Sequence, residues 1–156
     1  MSVMSSPSAA PDQRQRWLSV LAKAPADRVE ALWNGLGAAP SYALLRRPEI
    51  GLVMLQGRIS GSGAPFAAGE MTVTRAAVRL ESGELGIGYI GGRHPRQAEI
   101  VAVLDALGQR MEWQRPIEEQ VVAPLAQEAE ARHRLRVSEA AATKVDFFTV
   151  AREAGA

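Results

Sequence analysis

The 156-residue sequence contains no cysteine. That absence excludes a disulfide framework, a thiolate zinc site, an iron–sulfur cluster and a cysteine nucleophile supplied by this chain. Histidine is nearly as scarce. His94 and His133 are the only two, and neither stands in a zinc-ligand or nucleophile motif, so no metal is expected and no catalytic residue can be named. Charge of either sign is not in excess: 18 basic against 17 acidic side chains leave a formal +1, and no chain-wide field recruits nucleic acid or an anionic membrane. No apolar run approaches the roughly 20 residues that span a bilayer. Met1 to Pro11 also lacks the apolar centre of a secretory signal. The expectation is a soluble, cytoplasmic chain.

What is present is enough hydrophobic residue, 47%, to bury one ordinary core. The small, polar stretch 1–11 reads as a disordered tail, and 12–150 as one domain. Trp17, Val20, Leu21 and Ala24 recur at helical spacing up to Pro25, and a second short helix carries Val29, Leu32 and Trp33 as far as Asn34-Gly35. Between Ser41 and Gly92 short apolar runs alternate with turn residues, which is the pattern of an antiparallel sheet. Four strands are expected, Tyr42 to Arg46, Gly51 to Ile59, Phe66 to Leu80 and Leu85 to Gly91, with Arg47-Pro48-Glu49 as the first turn. Pro95 then opens a helix whose stripe is Ile100, Val103, Leu104, Leu107 and Met111. Pro116 and Pro124 punctuate the next stretch of chain. The segment Leu125 to Ala142 is charged and alanine-rich, with Leu125, Leu135 and Val137 as its only large apolar groups. The resulting fold class is α+β: an antiparallel sheet of about four strands flanked by an N-terminal helical hairpin and C-terminal helices. Phe147 and Phe148 make 143–156 a candidate partner-docking tail.

Two glycine-rich segments are candidate anion sites. In Arg58-Ile59-Ser60-Gly61-Ser62-Gly63 a strand ending in arginine meets a loop whose N–H groups can face phosphate oxygens. A plain hairpin turn explains Gly61 and Gly63 equally well. In Gly91-Gly92-Arg93-His94-Pro95 the glycines lead into a helix N-terminus beside Arg93 and His94, although His94 also suits a simple capping role. Arg75 and Arg79 alternate along one strand; they are solvated-face residues or, if buried, need carboxylate or phosphate partners. Asp105 and Glu99 read most simply as solvated.

Several blocks in order carry a resemblance to a known family: Arg14-Gln15-Arg16-Trp17-Leu18-Ser19-Val20-Leu21-Ala22, Glu49-Ile50-Gly51-Leu52-Val53, Thr72-Val73-Thr74-Arg75-Ala76-Ala77-Val78-Arg79-Leu80, Leu85-Gly86 through Gly92-Arg93, and Val145-Asp146-Phe147-Phe148-Thr149. Over about residues 14 to 150 the chain resembles the PhnG family, the G subunit of the bacterial carbon–phosphorus lyase system. The resemblance implies a core complex of paired G, H, I and J subunits. In it G, H and I, helped by the ATP-binding-cassette protein L, displace adenine from ATP with a phosphonate to give α-D-ribose 1-phosphonate 5-triphosphate. ATP and the phosphonate are then substrates of the complex, and no cofactor is bound by this chain alone. Carbon–phosphorus bond cleavage belongs to the J subunit, with S-adenosylmethionine and an iron–sulfur cluster. The family supplies no catalytic residue to carry over. Arg58, Arg75, Arg79 and Arg93 are candidates for neutralising triphosphate or phosphonate charge, and the alternative is a scaffold that contributes no active-site atom.

Overall fold

The computed structural model describes residues 11–143, apart from the side chains of Pro11, Asp12 and Ser60. The expected tail 1–11, save Pro11, and the docking candidates Phe147 and Phe148 therefore lie outside the described residues. The two expected N-terminal helices, α1 (Pro11–Lys23) and α2 (Ala26–Leu36), are present, but each packs on the helix that follows the sheet rather than on the other, so they are not the expected hairpin. The second runs past Asn34-Gly35 and stops at Gly37, whose φ of +65° closes the helix in the left-handed conformation that glycine adopts without a Cβ penalty.

The sheet has three strands in the order β1 (Tyr42–Arg58), β2 (Pro65–Leu80) and β3 (Leu85–Gly91), all antiparallel. The expected fourth strand is absent because Arg47-Pro48-Glu49 is not a turn. Register shifts between Leu44 and Arg46 and between Arg46 and Glu49 absorb extra residues as bulges, and an edge strand tolerates a proline at such an irregularity. The two runs flanking Pro48 therefore join into one 17-residue strand.

Helix α3 (Pro95–Leu107) lies across one face of the sheet and is buried nearly all round, including Ile100, Val101, Val103, Leu104 and Leu107. It forms the centre of the core rather than a one-sided stripe. Met111, expected on that stripe, is 73% exposed and begins α4 (Met111–Ile117). Gln97 joins α3 to the end of α1. Its amide donates to Leu21 O and Ala24 O, both at 3.0 Å, supplying partners to carbonyls at the end of α1. Neither Pro116 nor Pro124 ends the final helical run. Helix α4 continues through a π-helical segment, Glu118–Val122, into α5 (Ala123–Ala142), with helical backbone angles at each junction. Each proline lacks a donor for the carbonyl four residues earlier, and a π bulge is a standard local adjustment to such a gap. Leu125 anchors α5 in the core, whereas Leu135 and Val137 stay exposed.

Candidate functional site

Strand β3 inverts the usual rule for a sheet with one covered face. Two of its three inward positions, Gly86 and Gly88, bring the backbone directly against α3, Ile90 being the buried third, while Leu85, Ile87 and Tyr89 point outward, each about half exposed at 51, 50 and 48%. A Cβ on Gly88 would meet Ala98 O at 1.9 Å, and one on Gly86 would meet Ala102 O at 1.9 Å. Only glycine permits so close a helix–strand approach.

Arg75 stands in the middle of the outer face. The register sets Glu49, Arg75 and Tyr89 side by side across the three strands, with Arg46, Ala77 and Ile87 as the next row. Cross-strand neighbours at this spacing touch. Glu49 Oε1 accepts from Arg75 Nη2 at 2.8 Å and from Arg46 Nη1 at 2.5 Å. Arg75 Nε is buried without an acceptor among the described residues. Because Ala77 is small, Arg46, Arg75, Ile87 and Tyr89 surround a depression of about 250 Å³. Arg79 lies farther along the same face, exposed and opposite Ala43 and Leu85.

Arg58 is elsewhere. Strand β3 pairs only with Val73 to Arg79 of β2, so the β1–β2 hairpin continues without it to the Arg58–Pro65 pair. The seven β2 residues from Pro65 to Met71 form an arm about 23 Å long at 3.3 Å per residue. Leu52 at its base, Met54 and Leu55 along it and Ile59 beyond Arg58 are 64, 63, 44 and 70% exposed. Phe66 covers Gly57 across the ladder. At the tip Arg58 Nη1 donates to Gly63 O at 3.2 Å, and Gly63 N donates to Ile59 O at 2.9 Å. The Gly63 amide is thus used in the turn, and Gly61 has φ +74° as turn geometry requires. Ten β2 residues separate the Arg58 rung from Arg75, roughly 33 Å along the strand.

The third candidate segment is tied to the sheet by Thr74. Its hydroxyl donates to Gly92 O at 2.7 Å and accepts from His94 N at 3.0 Å, while Gly92 N donates to Thr72 O at 2.8 Å. Two of the loop amides are therefore spent on the protein. His94 occupies the N-cap position of α3, yet its side chain makes no capping bond; Arg93 and His94 are both exposed. The four candidate arginines are thus spread over the arm tip, the sheet face and the α3 loop and do not line one pocket.

Sequence reasoning missed the polar contacts that hold the body together. Asp105 is buried, not solvated: it accepts from Arg14 Nε at 2.7 Å, Arg14 Nη2 at 2.8 Å and Ile87 N at 2.9 Å, joining α1, α3 and β3. Glu99 accepts from the Tyr42 hydroxyl at 2.5 Å. Burial, then this bond, raises the Tyr42 pKa. Arg28 pairs with Glu128 at 2.6 Å and holds that carboxyl below its ordinary range. No sequence periodicity marks these partners, which are 57 to 100 residues apart. Among the described residues no group of three or more acidic or histidine side chains could hold a metal, and no helix is long and apolar enough to cross a membrane.

A family profile described as "Phosphonate metabolism protein PhnG" matches residues 12–153. The chain is also similar to a protein of Rhizobium meliloti (strain 1021) named "Alpha-D-ribose 1-methylphosphonate 5-triphosphate synthase subunit PhnG". The two are 41% identical over 143 residues, which cover 90% of this chain and 89% of the relative.

Proposed function

The chain belongs to the PhnG family, and from that premise we propose that it is the non-radical subunit of a phosphonate ribosyl-triphosphate synthase and works only in assembly. The reaction joins a phosphonate oxygen to ribose C1′ of ATP as the bond from C1′ to adenine N9 breaks. Adenine leaves with a proton, and α-D-ribose 1-phosphonate 5-triphosphate remains. Such a transfer needs stabilisation of positive charge growing on the ribose, a proton for adenine, and cations against the triphosphate and phosphonate. The partners are the H, I and J subunits and the ATP-binding-cassette proteins of the same system, in paired copies. The phosphonate itself is the nucleophile, and the groups that handle the adenine proton reside in those partners.

The observation that carries this reading is the arm. Its apolar groups are largely exposed and, among the described residues, its β2 half has no second neighbouring strand, so the hairpin is built to be covered by another chain. A second reading is favoured by what stands at the arm tip. Among the described residues Arg58 is bonded there only to a neutral carbonyl of its own turn, and a guanidinium carried on a 23 Å extension can enter a neighbour's anion site. Arg58→Met separates the two. A charge-donating Arg58 predicts intact assembly with phosphonate-dependent turnover lowered roughly tenfold or more, equivalent to about 1.4 kcal/mol. A pure scaffold predicts turnover that falls only in proportion to lost assembly. Adenine release from ATP by the highly purified chain alone would reject both.

A further inference from the structure

We infer that the outer face of the sheet, centred on Arg75 and Ala77, is a second docking surface, distinct from the arm, and that it receives an acidic side chain of a partner subunit ringed by apolar contacts. The inference rests on the proposed assembly role and adds the surface and the chemistry of what binds it.

Three observations converge on this face. The first is the inverted strand: Leu85, Ile87 and Tyr89 are turned away from the core, and glycine takes two of the three inward positions. Three large apolar residues in a row on an uncovered face cost solvation unless another surface meets them. The second is charge. Two guanidiniums share one carboxylate in the Arg46–Glu49–Arg75 cluster, leaving an excess of one positive charge, and Arg75 Nε has no acceptor among the described residues. The third is shape. Ala77 forms the floor of a depression of about 250 Å³ walled by two arginines, an isoleucine and a tyrosine, the composition and concavity typical of binding hot spots.

Charge also decides between possible occupants. Two copies of this face pressed together in an isologous contact would oppose two clusters of the same sign, which disfavours self-association. A carboxylate from a different chain neutralises the excess, and the surrounding apolar side chains exclude water from the pair. The row of large apolar side chains along β3 favours a protein surface over a small anion.

The test co-expresses the full chain with the remaining subunits of the synthase and measures the amount that co-purifies. Arg75→Glu reverses the charge, and Ala77→Trp fills the depression without removing any charged group, so it keeps the test valid if Arg75→Glu does not fold. Each should lower co-purification at least tenfold while the isolated Ala77→Trp chain keeps its circular dichroism spectrum. A third variant, Arg75→Lys with Glu49→Gln, should assemble and be joined by a water-soluble carbodiimide to an aspartate or glutamate of a partner subunit. The introduced amine and that carboxylate form an amide, the water lost being taken up by the carbodiimide as its urea. Wild-type recovery of both Arg75→Glu and Ala77→Trp, no cross-link in an assembled complex, or a cross-link only between copies of this chain would overturn the inference and leave the assembly role standing. If the unaltered chain does not co-purify at all, the assembly role fails, and this surface fails with it.

Discussion

Replacing Gly88 by alanine adds one methyl group at the point where strand and helix backbones come closest. The built Cβ lies 1.9 Å from Ala98 O and 2.8 Å from Ala98 C, against roughly 3.3 Å or more for a relaxed carbon–oxygen contact. The obstacle is main chain on a helix whose neighbouring residues are buried, so no side chain can rotate aside. Either α3 moves out by roughly 1.4 Å, which opens gaps against β2, or β3 bows outward and strains its ladder with Val73 to Arg79. Overpacking typically costs about 1–3 kcal/mol and more where backbone must move; about 3 kcal/mol or above is expected here. That is a large share of a total stability of about 5–15 kcal/mol, and it corresponds to a fall in Tm of about 10 °C. Urea titration followed by tryptophan fluorescence measures it, with Gly86→Ala as a second instance, since its Cβ would meet Ala102 O at 1.9 Å. Gly91→Ala is the control. Its nearest neighbour is the end of Met71 at 3.9 Å, so it should change stability by less than about 0.5 kcal/mol. A Gly88→Ala chain as stable as the Gly91→Ala chain would refute the close-approach account and, with it, the reason that Leu85, Ile87 and Tyr89 face outward.

Arg14→Met should cost about 3 kcal/mol and Asp105→Asn only about 1 kcal/mol, because the first strands a carboxylate whose side chain is 1% exposed and the second frees a guanidinium already 43% exposed; denaturant titration of both that gave the reverse order would count against this picture. Glu128 has a folded-state pKa below its unfolded one, owing first to its hydrogen bond from Arg28. Its contribution to stability is therefore present above the unfolded carboxylate pKa and lost as pH falls through the folded value; Glu128→Gln should flatten the acid side of a Tm-against-pH curve. Gly35→Ala should stabilise the chain by about 0.5–1 kcal/mol, since Gly35 lies inside α2 with nothing within 4 Å of an added methyl; a lower Tm would contradict it.

Local chemistry is legible in the sequence where it acts alone. Pro25 ends α1, Pro95 opens α3, and the weak apolar content of Leu125 to Ala142 matches a helix anchored at one end. It misleads where tertiary structure overrides a local signal: Pro48 sits in a bulged edge strand, and Pro116 and Pro124 are carried through by a π segment. The alternation in Leu85-Gly86-Ile87-Gly88-Tyr89 is visible, but not its direction, because nothing local says that a helix backbone fills the glycine side. Asp105 reads as solvated for a similar reason, its partner Arg14 being 91 residues away. The arm, as a hairpin beyond the reach of β3, emerges only from strand lengths in the assembled sheet.

The most direct test of the central claim shortens the arm. Residues 54–70 are replaced by a two-residue type I′ turn, leaving the body and its outer face unaltered, and phosphonate-dependent adenine release is measured with the remaining subunits present. The account predicts a folded chain that no longer co-purifies with the complex and supports no turnover. Full assembly and normal adenine release by the armless chain would contradict it.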